Sequence, residues 1–316
     1  LICDDLNNGN ETIDLTIYNS NLVSNNAHHR FKYYNSLNGA QYQINTEQIL
    51  NYKTYNLSVV QKKINVLVTD NFGCSSIAEL NFTLIPTPIP SILDSYILCE
   101  NSTVTITENL SFDSYTWSYD GSHNPSVVIS RPGTYTLTVT ENHGAIICST
   151  TKTFTVVLSN PAVITNLNPA DWTDYHNVIT VDVTGLGNYE YSLDGVYYQD
   201  SPVFSDLDNG EFKVYVRDKN GCGVTTENIY LLMYPKYFTP NGDGFNDLWK
   251  VEFSKNEPNL KIRIFDKHGK FLKQIDTNER GWDGTLIGKP LPATDYWFVI
   301  TRQNGKEHRG HFALKR

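Results

Sequence analysis

One eleven-residue pattern recurs along the chain and sets the scale on which it can fold. Ile64-Asn65-Val66-Leu67-Val68-Thr69-Asp70-Asn71-Phe72-Gly73-Cys74 is echoed by Phe212-Lys213-Val214-Tyr215-Val216-Arg217-Asp218-Lys219-Asn220-Gly221-Cys222. In both, side chains alternate as on a strand with one buried face, and the run ends in a glycine turn. A third copy, residues 135–144, has its cysteine displaced to Cys148, and a fourth, residues 296–305, carries Lys306 in the cysteine's place. Gly73, Gly144, Gly221 and Gly305 stand 71, 77 and 84 residues apart. Length alone, at about 150 residues per domain, suggests two domains. The repeat argues instead for four modules of about 80 residues each.

Prolines place the boundaries. Pro86-Thr87-Pro88-Ile89-Pro90 cannot donate to a ladder and reads as an extended spacer, and Ser159-Asn160-Pro161 and Met233-Tyr234-Pro235 mark two further linkers. The predicted modules are residues 1–88, 89–159, 160–233 and 234–316, strung as a rod. With 20 Tyr, 14 Phe, 20 Gly and a single Met, the composition favours strands and turns over helices. The expected fold class is all-β: tandem small β-sandwiches of immunoglobulin or PKD-like type. In the second module Cys99, Trp117 and Cys148 follow the immunoglobulin order, with Trp117 available to pack on a bridge and Tyr135 as a corner tyrosine. Tyr135 precedes Cys148 by 13 residues rather than about two, so the generic sandwich is the better description.

Five cysteines permit at most two bridges within the chain and favour an extracellular or periplasmic setting. Pairing inside modules predicts Cys3 with Cys74 and Cys99 with Cys148, leaving Cys222 as a buried, inert thiol. No apolar run reaches the roughly 18 residues of a membrane-spanning helix, so the chain is not expected to span a membrane. The chain starts at Leu1 with no basic-then-apolar leader, and is expected to be an internal or C-terminal piece of a longer precursor.

Charge divides the molecule. Residues 1–233 carry 10 Lys and Arg against 24 Asp and Glu, a net of −14, whereas residues 234–316 carry 15 against 10, a net of +5. An acidic body of this kind argues against nucleic acid, whose phosphates need clustered cations.

Two segments space oxygen-bearing side chains at alternate positions, as calcium loops do. In the first, Asp5, Asn7 and Glu11 surround Gly9. In the second, Asn241, Asp243 and Asp247 alternate, with the Phe245 carbonyl available to complete the set. Neither has the full twelve-residue loop, and Asn, Asp and Gly are also ordinary tight-turn residues. Calcium is the one cofactor the sequence suggests. His28 and His29 are adjacent, so on a strand they face opposite sides and do not share a metal. No nucleophile elbow, zinc spacing, P-loop or dinucleotide fingerprint occurs, which leaves no catalytic residue to name. Tyr33-Tyr34 and Tyr197-Tyr198 could stack on sugar rings, but neighbours in a strand face opposite ways, so one of each pair is expected in the core.

The last module is the most distinctive. Tyr234-Pro235-Lys236-Tyr237-Phe238-Thr239-Pro240-Asn241-Gly242-Asp243-Gly244-Phe245-Asn246-Asp247 opens it. Ile262-Arg263-Ile264-Phe265-Asp266-Lys267-His268-Gly269-Lys270, Gly281-Trp282-Asp283-Gly284 and Leu291-Pro292-Ala293-Thr294-Asp295-Tyr296-Trp297-Phe298 follow, and Gly310-His311-Phe312-Ala313-Leu314-Lys315-Arg316 closes the chain. In order and spacing these resemble the type B C-terminal sorting domain of the type IX secretion system, also called the gliding motility-associated C-terminal domain, of Bacteroidetes surface proteins. The upstream modules resemble, more loosely, the PKD-like repeats that precede it. The resemblance implies export through the periplasm and outer membrane to the cell surface. It also implies recognition by the type IX translocon and a PorP/SprF-like outer-membrane partner. Residues 310–316 are the expected recognition element, because a terminal strand can extend a partner's sheet. Trp282, Asp283, Tyr296 and Trp297 are expected to hold the module's own core and turns. The sequence therefore reads as a carrier and display segment rather than an enzyme. The rival readings are a polysaccharide-binding adhesin and a carrier for an enzyme upstream of Leu1.

Overall fold

The computed structural model describes every residue of the 316 except Asn25, Val59 and Asp174. The fold is all-β, with its strands in several small sheets and few, short helices. It divides into two compact units, Leu1–Val157 and Leu158–Arg316.

The first unit opens with a five-stranded sheet in which Ile2–Asp4 lies parallel to the end of Ser75–Pro86, followed by Gln61–Asp70, His29–Tyr34 and Gln48–Ile49. Gln61–Asp70 and Ser75–Pro86 are the repeat's first hairpin. Its turn is closed by Asp70, whose Oδ1 accepts the N–H groups of Phe72 at 2.8 Å and Cys74 at 2.9 Å. Leu15, Leu57, Ile64, Val66 and Phe82 fill the core beneath it. The sequence pattern does not reveal a short helix, Leu37–Tyr42, capped by the Ser36 hydroxyl on Gly39 N–H at 3.0 Å. A Cβ on Gly39 would meet Glu47 at 2.7 Å, so only glycine lets this helix pack where it does.

The proline-rich segment after residue 86 is extended but not a free spacer. Asn7 accepts Thr87 N–H at 2.7 Å and donates to Thr87 O at 3.0 Å, while Thr87, Pro88 and Pro90 are buried. The second half of the unit sets a four-stranded sheet, Ser114–Trp117, Gly133–Asn142, Ile147–Ser159 and Ser95–Cys99, beside the pair Val104–Thr107 and Ser126–Ile129. Trp117 is fully buried and meets Phe154 edge-on at 5.9 Å. Tyr135 does act as a corner, its hydroxyl donating to Arg131 O at 3.0 Å.

In the second unit, two three-stranded sheets share one core. One contains Val163–Ala170, Asn177–Thr184 and Val203–Leu207, and the other Tyr189–Ser192, Gly210–Asp218 and Val224–Leu231. Ile179 and Val181 face Tyr191, Val214, Val216 and Leu231 across it. The remainder is built on a five-stranded sheet, ordered Tyr237–Phe238, Glu307–Leu314, Asp295–Thr301, Lys261–Phe265, Phe271–Ile275. Its core is aromatic: Trp249 stacks on Phe312 at 4.0 Å and Trp282 meets Tyr296 edge-on at 5.1 Å. Both indoles also spend their N–H groups, Trp249 on Pro235 O at 3.0 Å and Trp282 on Thr285 O at 2.9 Å. A buried indole needs such a partner.

The cysteines depart from the predicted pairing. Cys3 is bonded to Cys148, with Cα atoms 5.6 Å apart, and Cys74 is free and exposed. Cys99 and Cys222 are each disulfide-bonded, so Cys222 is not the inert thiol expected of it. Geometry explains the error. Cys3 pairs with Ile85 near the end of the Ser75–Pro86 strand, whereas Cys74 precedes its start. The intervening residues, at about 3.3 Å each, put the two sulfurs roughly 35 Å apart. A disulfide tolerates no more than about 7 Å between Cα atoms.

Candidate functional site

The terminal strand is built into the domain's five-stranded sheet, beside its central strand. Residues Glu307–Leu314 pair antiparallel with Asp295–Thr301 along their whole length, and Ala313 and Leu314 pair parallel with Tyr237 and Phe238 on the other side. Phe312 and Leu314 are buried, each worth about 1.5–3 kcal/mol. A Cβ at Gly284, whose φ is +76°, would come 2.5 Å from Leu314, so the Gly281-Trp282-Asp283-Gly284 motif is shaped around the strand's end. Pulling the strand out of its sheet would dismantle the core, but over residues 307–312 it has a strand neighbour, among the described residues, only on the Asp295–Thr301 side. Of residues 310–316, His311, Lys315 and Arg316 are exposed, while Gly310 and Ala313 are half-buried. Asp283 caps its own turn, accepting Thr285 N–H at 3.0 Å. Trp297 is not a core residue: it lies 41% exposed on the outer face with His311 6.1 Å away.

The two oxygen-rich loops are held by their own backbones. Asp247 Oδ1 accepts Gly242 N–H at 2.7 Å and Asn241 N–H at 3.0 Å, and Oδ2 accepts Gly244 N–H at 2.8 Å. These donors hold the Asp247 carboxyl below the usual carboxylate range. Asp243 accepts Phe245 N–H at 2.8 Å and the Asn241 amide at 2.8 Å. The loop is thus closed by its own N–H groups, which take up part of the carboxylates' acceptor capacity. The first loop is closed in the same way. Asn7 is committed to Thr87, and Glu11 accepts Asp5 N–H at 2.7 Å. Among the described residues no three His, Cys, Asp or Glu side chains cluster to hold a metal.

The tyrosine pairs also separate. Tyr33 and Tyr34 are both buried, which removes them as sugar platforms. Tyr197 is 82% exposed, whereas Tyr198 lies beneath the Arg217 guanidinium at 3.8 Å.

What the sequence did not signal is a buried charge cluster joining the terminal domain to the sandwich before it. Arg302, 9% exposed, donates from Nη1 to Asp171 Oδ2 at 2.7 Å and from Nε to Glu257 Oε2 at 3.2 Å, and its Nη2 also bonds Glu257 Oε1. Nη2 reaches Tyr230 O at 3.3 Å as well, so all three nitrogens of the planar fork are engaged. Asp171 Oδ2 additionally accepts Leu232 N–H at 2.9 Å. Burial pushes the Asp171 carboxyl up, against the pull of Arg302. Beside it Trp172 stacks face to face on His308, with ring centroids 4.4 Å apart, and burial with Lys236 nearby lowers the His308 pKa. Asp171 and Trp172 belong to the preceding sandwich, and Arg302, Glu257 and His308 to the terminal domain. Nothing in their one-dimensional spacing announces this joint. Arg302 stands where the repeat places Asp70 and Asp218, and that substitution was the available clue.

These features define an all-β chain of small sheets whose last domain is fastened to the sandwich before it. Residues 232–314 match the CHU_C type IX secretion signal domain, and residues 1–90 match the Flavobacterium inter-domain disulphide bond domain. The Cys3–Cys148 bridge leaves the 1–90 segment, in keeping with that second description. The chain is thus a secreted protein with a C-terminal export signal, directed to the cell surface or beyond. No described helix is long and apolar enough to cross a membrane. No curated protein matches the chain. Solved structures that resemble it include Sidekick-1 immunoglobulin domains 1–5, at 11% identity, 91% of this chain, 74% of that one and a TM-score of 0.32. The N-terminal eight immunoglobulin domains of Down Syndrome Cell Adhesion Molecule align at 15% identity, with coverage of 93% and 44% and a TM-score of 0.29. Chicken CNTN1 FN1-FN3 aligns at 11% identity, with coverage of 72% and 90% and a TM-score of 0.28. Scores this low carry no argument, and the fold rests on the sheets themselves.

Proposed function

We propose that the chain is the display end of a larger surface protein. In this reading the type IX translocon reads its terminal domain, and a PorP/SprF-like outer-membrane protein holds it at the surface. The upstream sandwiches act as a stalk rather than as a catalyst. The observation that carries the proposal is the match of residues 232–314 to a type IX secretion signal domain. The net charge of +5 on residues 234–316 suits an acidic docking face. In this reading the partner meets the terminal strand through its exposed side chains Arg309, His311 and Lys315 as well as through strand addition beside residues 307–312.

A fusion of an export leader, a fluorescent reporter and residues 158–316, expressed in a gliding bacterium with and without its translocon, tests this. Surface reporter that depends on the translocon is the expected result. Reporter left in the periplasm of both strains would refute the sorting role. Charge reversal at Arg309 and Lys315 within an exported fusion should release it to the medium. Unaltered retention would exclude those side chains from the attachment.

A further inference from the structure

We propose that the outer face of the terminal sheet binds a linear acidic polysaccharide, laid across the strands on a row of aromatic rings. Register builds the row. Phe271 pairs with Phe265, Phe265 with Trp297, and Trp297 with His311, and residues directly opposite one another share a face, so four rings from four successive strands stand in line. Phe265 and Phe271 meet edge-on with centroids 5.9 Å apart, and Trp297 and His311 lie 6.1 Å apart. The alternate residues Tyr296, Phe298 and Phe312 fill the core, which leaves this row to solvent, with Phe271 53% exposed. Neighbouring strands stand about 4.8 Å apart, so the row runs roughly 14 Å and repeats at close to the length of one sugar ring in a chain. A pyranose offers a flat face of C–H groups to an aromatic ring while its hydroxyls stay in water. A strip one ring wide, bordered by charges, suits such a chain better than the broad apolar patch of a protein interface.

The neighbouring row supplies the charge. Arg263, Val299 and Arg309 are register partners on the same face, and the two arginines, with Lys267, Trp297 and His311, wall an open groove of about 720 Å³. The arginines already hold one carboxylate between them: Arg309 Nη2 donates to Glu307 Oε2 at 2.9 Å, and Arg263 Nη2 lies 3.7 Å from Glu307 Oε1. A uronate carboxylate asks for the same guanidinium donors. Asp266, the other acid of the groove, turns its Oδ1 onto the N–H groups of His268 at 2.8 Å and Lys270 at 2.9 Å, and Lys267 has no ion-pair partner among the described residues. Three permanent cations thus face two acids, both engaged, and the net charge of +5 on residues 234–316 draws a polyanion from further off.

The site needs neither translocon nor outer-membrane partner, so residues 1–316 are titrated in a calorimeter with polygalacturonate, its methyl ester and polyglutamate. Polygalacturonate should bind, more weakly as salt rises; the ester should bind less well, and polyglutamate should not bind. Trp297→Ala and Phe271→Ala, at separate places in the row and outside the core, should each weaken binding about tenfold with an unchanged melting curve, the scale of one lost stacking contact. Glu307→Gln removes the competing carboxylate and should tighten binding of polygalacturonate while leaving the ester unaffected. No binding of polygalacturonate, full binding by both aromatic variants, or polyglutamate bound as tightly, which would make the face a docking site for acidic protein, would each overturn the proposal.

Discussion

Replacing Arg302 by Ala strands two carboxylates that the fold keeps out of water. Asp171 is 3% and Glu257 7% exposed, so neither regains a hydration shell when the guanidinium goes. Asp171 keeps one donor, Leu232 N–H at 2.9 Å, whereas Glu257 loses both arms of the fork. Breaking a buried ion pair from one side costs about 3–5 kcal/mol, against a total stability of about 5–15 kcal/mol for a domain. For a unit of this size each kcal/mol moves the melting temperature by about 2–4 °C, which predicts a fall of roughly 6–20 °C. Residues 158–316 should be melted in parallel by circular dichroism and by tryptophan fluorescence. The triple variant Asp171→Leu, Glu257→Leu, Arg302→Met removes all three charges and should recover most of the loss, because a packed apolar replacement is often neutral or stabilising. A melting temperature for Arg302→Ala within about 2 °C of the parent would refute the reasoning, since that is the scale of an exposed pair. So would a triple variant no better than the single one.

Three further outcomes follow from the same coordinates. Cys148→Ser opens a loop of sequence separation 145 and should cost about 2–5 kcal/mol in the first unit, read as a lower urea midpoint with Cys3→Ser giving the same loss. Asp247→Ala removes the acceptor for three N–H groups and should lower the melting temperature equally in calcium and in chelator. A loss confined to calcium would restore the cation-binding reading. Burial holds the folded His308 pKa below the ordinary imidazole value of about 6.5, so its unfolded form takes up the proton first. That contribution is intact above about pH 6.5 and is lost as pH falls through the lower folded value. The melting temperature of residues 158–316 should therefore drop from pH 7.5 to pH 5.5 more steeply than in His308→Gln.

Much of the fold was legible because a strand writes its own pattern. Residues 64–74 and 212–222 alternate with period two, and each ends where Asp70 or Asp218 folds its carboxylate over the following N–H groups. Strand, turn and the buried side chains Val66, Val68, Val214 and Val216 follow from neighbours in sequence. The helix Leu37–Tyr42 was not legible, because its reason for existing is a glycine pressed against Glu47 rather than an apolar stripe. The Arg302 joint was hidden for a stronger reason. Its partners lie 45 and 131 residues away, and no periodicity encodes a contact of that range.

The cysteines mark the boundary between the two kinds of information. Their places in the repeat were readable, yet the inference that residues of one module pair together failed. A strand of 12 residues has two ends, and a cysteine beside each end is too far from the other to bond. Applied in advance, that length argument excludes Cys3 with Cys74. Sequence proximity misled because the two cysteines of the first sandwich stand at opposite ends of one long strand, so closeness along the chain is not closeness in space. The same reasoning bears on the terminal strand. A strand at the end of the chain need not be wholly at the edge of a sheet: Glu307–Leu314 pairs with Asp295–Thr301 on one side, and Tyr237–Phe238 covers Ala313 and Leu314 on the other. Arg309 and His311 reach solvent from a strand whose Phe312 and Leu314 hold the core. Substitutions at the first pair therefore probe recognition, and substitutions at the second probe folding.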